Sequence, residues 1–66
     1  MNNDISFLRL QSVKSKTGLA RSTIYKMMLT GDFPKPVKTT PKASAWVDSE
    51  VNAWMISRME DRESVH

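Results

Sequence analysis

Five residues that disrupt a helix interior, Gly18, Gly31, Pro34, Pro36 and Pro41, are all the Gly and Pro of this chain, and they are spread across its middle. No long uninterrupted element fits before Lys42. The sequence is therefore expected to form two short helices, an extended strut, a hairpin and one closing helix. At 66 residues there is room for one domain. A chain of this length hides only about 60% of the surface that its unfolded form exposes, so the core is thin and a large catalytic scaffold is excluded. With no Cys there is no disulfide framework and no thiolate metal site. Apolar packing alone must hold the domain, which fits a reducing cytoplasm.

Met1 to Ser6 is polar and is expected to be loose. It lacks the basic stretch and apolar run of a signal peptide, and no segment approaches the roughly 20 apolar residues of a membrane span. Phe7, Leu8 and Leu10 supply the first apolar contacts, and a short helix follows from about Gln11 to Thr17. Gly18 stops it, since glycine accepts the left-handed conformation that ends a helix, and Leu19 can pack back on the preceding turn. A second helix is expected from Arg21 to Leu29. Its Ile24, Met27 and Met28 recur at three- and four-residue spacing as the core face, and Gly31 marks its end. Two helices joined by a tight turn around Gly18, Leu19 and Ala20 make a helix-turn-helix.

Phe33-Pro34-Lys35-Pro36 cannot continue a helix, because each Pro lacks an amide proton and pushes its predecessor toward an extended conformation. Val37 to Thr39 and Ser44 to Val47 are β-prone runs flanking Thr40-Pro41-Lys42-Ala43, which predicts a hairpin with a basic tip, a wing. Asp48 is placed to cap the last helix, with Glu50 favouring its positive end. Val51, Trp54, Met55 and Arg58 fall on one stripe, and the helix is expected to fray beyond Met59. The tryptophans and methionines are read as core filling. The resulting fold class is mostly α with a small β-hairpin, a single-domain winged helix-turn-helix spanning 7–59, with a flexible 1–6 and a frayed polar tail at 60–66.

Charge divides the chain more sharply than its net +3 conveys. Residues 1–42 carry Arg9, Lys14, Lys16, Arg21, Lys26, Lys35, Lys38 and Lys42 against Asp4 and Asp32, a net of +6. Residues 43–66 carry Arg58 and Arg62 against Asp48, Glu50, Glu60, Asp61 and Glu63, a net of −3. A one-sided positive field concentrates a polyanion and supplies the sequence-independent part of nucleic-acid binding. Catalysis fails on residue supply. His66 is the sole histidine, and Asp48 and Glu50 lie two apart on a helix, where side chains do not face one another. No glycine-rich phosphate cradle and no C-x-x-C spacing is present, so no cofactor or metal is implied.

The run Leu8-Arg9-Leu10, Val13, Thr17-Gly18-Leu19, Arg21-Ser22-Thr23-Ile24-Tyr25-Lys26, Gly31-Asp32-Phe33-Pro34-Lys35-Pro36-Val37-Lys38, Trp46, Ser49-Glu50-Val51 and Trp54 resembles the AlpA family of small prophage regulators. The resemblance covers residues 7–59. It implies a winged-helix domain related to the MerR and excisionase group, a transcriptional regulator of integrase or prophage genes, an excision factor, or both. Two positions depart from the family pattern. Ala20 stands where a serine usually caps the recognition helix, a loss of about 0.5–2 kcal/mol unless Ser22 takes over. The wing tip is Thr39-Thr40-Pro41-Lys42 in place of glycine and arginine, so it carries a point charge without the planar fork of Arg.

The expected partner is double-stranded DNA, at a promoter or an attachment site, met by a protein of the bacterial cytoplasm and nucleoid. The helix of Arg21 to Leu29 enters the major groove with its N-terminal residues facing base edges. Arg21 is the candidate for bidentate guanine contact. Ser22, Thr23 and Tyr25 hydrogen-bond phosphates or bases, although the Tyr25 ring can instead pack against the wing. Lys26 neutralises a phosphate, and Lys38, Thr40 and Lys42 grip the backbone. So small a module buries only about 600–1,000 Å² on DNA, which calls for cooperative self-association or a partner such as a phage-type integrase. The competing reading is a protein-interaction module that docks on a recombinase or transcription protein through Ile56, Met59 and the acidic end.

Overall fold

A computed structural model describes residues 5–63; residues 1–4 and 64–66, which belong to the two expected flexible ends, lie outside the described residues. The element order is β1 (Phe7–Leu8), α1 (Leu10–Thr17), α2 (Arg21–Leu29), β2 (Val37–Thr40), β3 (Ala43–Val47) and α3 (Asp48–Glu63). This is the expected winged helix-turn-helix, with one strand that periodicity did not reveal. Phe7 and Leu8 pair antiparallel with Val47 and Trp46, making a three-stranded sheet of order β1-β3-β2. Two residues are too few to show an alternating pattern. They become a strand only because β3 offers an edge, and the Asp48 amide then donates to the Ser6 carbonyl at 2.8 Å.

The turns between helices are built from local chemistry. Gly18 adopts φ 77° and its amide donates to the Lys14 carbonyl at 2.8 Å, which closes α1 in the left-handed conformation. The Thr17 hydroxyl donates to the Val13 carbonyl at 2.7 Å and accepts from the Leu19 amide at 3.2 Å, so the chain turns sharply toward α2. At the far end of α2, Gly31 has φ 80°; its amide donates to Met28, and that of Asp32 to Met27 at 2.8 Å. These two bonds form a Schellman motif, which satisfies carbonyls that the helix end leaves free.

Val13, Ile24, Phe33, Trp46 and Val51 form the buried core, one residue from each of α1, α2, the strut, β3 and α3. Leu8, Leu10, Leu19, Met27, Met28, Trp54 and Met55 pack around it, so the tryptophans and the two α2 methionines fill the core as expected. The strut is held by both indoles. Trp46 Nε1 donates to the Pro34 carbonyl at 3.0 Å and Trp54 Nε1 to the Asp32 carbonyl at 2.6 Å, while the Phe33 and Trp54 rings meet edge-on at 4.9 Å. Each indole thus combines apolar burial with a satisfied N–H. Proline and glycine keep the segment out of a helix, and the tryptophans fix the path it takes instead.

Two expectations for α3 are corrected. The Asp48 carboxylate pairs with Lys16 of α1, and no bond from it to the helix amides is seen. Lys16 lies 32 residues away in sequence and arrives only through the fold. The helix also continues past Met59 to Glu63, where Arg58 pairs with Asp61 at 2.9 Å one turn on and Arg62 stands in the last turn beside the negative helix end. No helix among the described residues is long and apolar enough to cross a membrane.

Candidate nucleic-acid interface

α2 divides along its length into a core face and an open face. Ile24 is buried and Met27 and Met28 are partly covered, whereas Arg21, Ser22, Tyr25, Lys26 and Leu29 are exposed and Thr23 is half-buried. The helix starts without a side-chain cap. Ala20 takes the extended conformation of a cap residue (φ −75°, ψ 157°) but has no oxygen to offer, and Ser22 does not substitute for it. The first amides of α2 therefore open onto solvent at the same end as Arg21.

The aromatic ring of Tyr25 bridges helix and wing. Its edge meets Trp46 at a centroid distance of 6.5 Å, and the Arg21 guanidinium carbon lies 5.8 Å above its face. Packing against the wing and exposure are both present, since 41% of Tyr25 stays accessible. The contact orients Arg21, because a guanidinium stacked on a ring loses rotamer freedom before it meets any ligand. Lys26, one helical step further, is exposed and makes no ion pair among the described residues.

The wing is β2 and β3 joined by a two-residue turn at Pro41 and Lys42. No non-glycine residue in it has positive φ, so the turn does not supply the twist of a primed hairpin turn. A bulge between Lys38 and Thr40 supplies it instead, with Thr39 unpaired in the register. Local bonds then shape the tip: the Thr40 hydroxyl accepts from the Lys42 amide at 3.2 Å, and Lys38 Nζ donates to the Pro41 carbonyl at 3.3 Å. Thr40 and Lys38 thus each make a bond within the hairpin, and among the described residues the Lys42 side chain makes no ion pair.

Tyr25 and Lys42, from the expected set, line one groove together with Arg9 and Gln11 of the α1 entrance and Ser44 of β3. Arg9 and Gln11 were not singled out from sequence. The only signal for them is their place at the start of α1, which the strand pairing of Phe7 and Leu8 swings toward the wing. Among the described residues no group of three or more His, Cys, Asp or Glu side chains is placed to hold a metal ion.

The family model for the prophage CP4-57 regulatory protein, AlpA, matches residues 6–59, which run from the residue before β1 into the last turns of α3. The chain belongs to the AlpA family. Within the same group of relatives, ORF88 of Enterobacteria phage P4 is 46% identical over 57 residues, covering 86% of this chain and 65% of that protein. The DNA-binding transcriptional activator AlpA of Escherichia coli strain K12 is 35% identical over 66 residues, covering 88% of this chain and 94% of the activator. This chain thus spans a little under two thirds of the phage P4 relative and nearly all of the other. For an AlpA-family protein the match is of one piece, since the helix-turn-helix, strut and wing and most of α3 fall inside it.

Proposed function

We propose that this protein binds double-stranded DNA with sequence preference and regulates genes of a prophage or integrative element. The observation that carries the reading is the open face of α2: Arg21, Ser22, Tyr25 and Lys26 all face away from the core on the second helix of a helix-turn-helix. The named activity of the Escherichia coli relative, DNA-binding transcriptional activation, supports it. Arg21 makes the bidentate guanine contact, a role that its place over the Tyr25 ring supports; Ser22 and Thr23 in the first turn meet base edges or phosphates, and Lys26 meets a phosphate. Lys38, Thr40 and Lys42 grip the backbone from the wing, whose tip is shaped by the local bonds of Lys38 and Thr40.

The narrower form of the proposal is an excision factor that coats attachment-site DNA in several copies and assists a phage-type integrase. Ile56 and Met59, each 53% exposed on α3, give such copies or the integrase an apolar contact. The test is fluorescence anisotropy with duplex DNA across a salt series. Log affinity falls linearly with log salt, and Lys26→Ala reduces the slope by about one. A flat salt dependence refutes DNA binding. An excision assay with purified integrase separates the narrower form, which fails if added protein brings no gain.

A further inference from the structure

The geometry points to a seat for one DNA phosphodiester in the groove between the α1 entrance and the wing tip, with Arg9 and Lys42 as its two cations. This rests on the DNA-binding reading above and adds residues from outside α2 and the wing.

The groove has a volume of about 420 Å³, room for a phosphate and its flanking sugar. Its rim carries only donors or amphoteric groups: the Arg9 guanidinium, the Gln11 amide, the Tyr25 and Ser44 hydroxyls and the Lys42 ammonium, with no carboxylate among them. Its apolar lining is the less exposed part, buried Trp46 with half-buried Leu10 and Pro36. A nucleic-acid backbone alternates these two demands, an anion that needs donors and a sugar that tolerates apolar contact. Neither Arg9 nor Lys42 is neutralised within the described protein; the ion pairs there use Lys16 and Arg58.

Position argues for the same occupant. The groove lies between Tyr25 of α2 and Lys42 of the wing. A duplex that takes α2 in its major groove and lies beside the wing must pass one strand between the two, and that strand runs over this lining. Arg9, at the start of α1, lines the same groove. A planar guanidinium can hold two phosphate oxygens at once, while Lys42 supplies a point charge.

The test uses the full chain, with Arg9→Gln, Lys42→Gln and the double variant, in the same salt-dependent anisotropy measurement. Each single substitution is expected to lower the slope by about one, leaving the ranking of duplex sequences unchanged. Arg9→Lys, which keeps the charge, retains the wild-type slope. Single neutral methylphosphonate linkages placed along the duplex locate the seat, because the position that weakens wild-type binding becomes silent in the double variant. Wild-type slopes for Arg9→Gln and Lys42→Gln, with a reduced slope for Lys26→Ala, overturn the seat and leave DNA binding standing. A salt-independent wild type removes both. Displacement of the duplex by an acidic peptide from the wild type and the double variant alike, with no silent position, also overturns the seat. Circular dichroism melting confirms that each variant is folded, and Arg9→Lys falling to the Arg9→Gln slope assigns Arg9 a structural part instead.

Discussion

Ala20→Ser is expected to stabilise this protein. Ala20 already has the extended backbone that a helix cap requires, and its carbonyl accepts the first helical bond, from Ile24 at 3.0 Å. What is missing is a side-chain oxygen for the free amides of Ser22 and Thr23. A serine hydroxyl there reaches one of them without any change of backbone, a gain of about 0.5–2 kcal/mol. Ala20 is exposed, so water already serves those amides and the gain should sit near 1 kcal/mol. For a domain of this size that raises the melting midpoint by roughly 4–8 °C. Thermal unfolding followed by circular dichroism measures it. Ala20→Asp separates two effects: it caps equally well and complements the helix dipole, yet places a carboxylate beside Arg21, so it should raise stability while weakening DNA binding. A midpoint unchanged in both variants refutes the argument that α2 begins uncapped.

Gly18→Ala meets no steric obstacle, since nothing lies within 4 Å of the added carbon, but φ of 77° remains. The expected loss is about 1–2 kcal/mol from backbone conformation alone, with Gly18→Asn losing less; equal losses in urea denaturation contradict this. Trp54→Phe removes the N–H that holds the Asp32 carbonyl and weakens the platform under Arg58, whose guanidinium carbon lies 5.7 Å from the ring centroid. A loss of about 1 kcal/mol follows, and an unchanged urea midpoint would show that the bond adds nothing.

Sequence made the helices legible where a local signal ended them. Gly31 and the spacing of Ile24, Met27 and Met28 place α2 at its observed bounds, and the run from Val37 to Val47 gives the hairpin to within a residue at the turn. Features that depend on distant partners stayed hidden. Phe7 and Leu8 are a strand only against Trp46 and Val47, and Asp48 looks like a cap until Lys16 comes near. The interface follows the same division. The open face of α2 can be read from helical period, whereas the groove that Arg9 and Gln11 share with Lys42 joins residues more than thirty positions apart. Lys38 and Thr40, whose residue types suit DNA contact, also make bonds to the Pro41 and Lys42 backbone that only the hairpin geometry reveals.

The bonds from Trp46 to Pro34 and from Trp54 to Asp32 fasten the strut at two carbonyls that bracket Phe33. Helix and wing are therefore spaced like the jaws of a caliper locked at one opening. An extra residue inserted after Phe33 cannot be absorbed as slack, because one fastening must let go to admit it. The span between the jaws is thus set by where the two indoles stand, and the strut alone does not decide it.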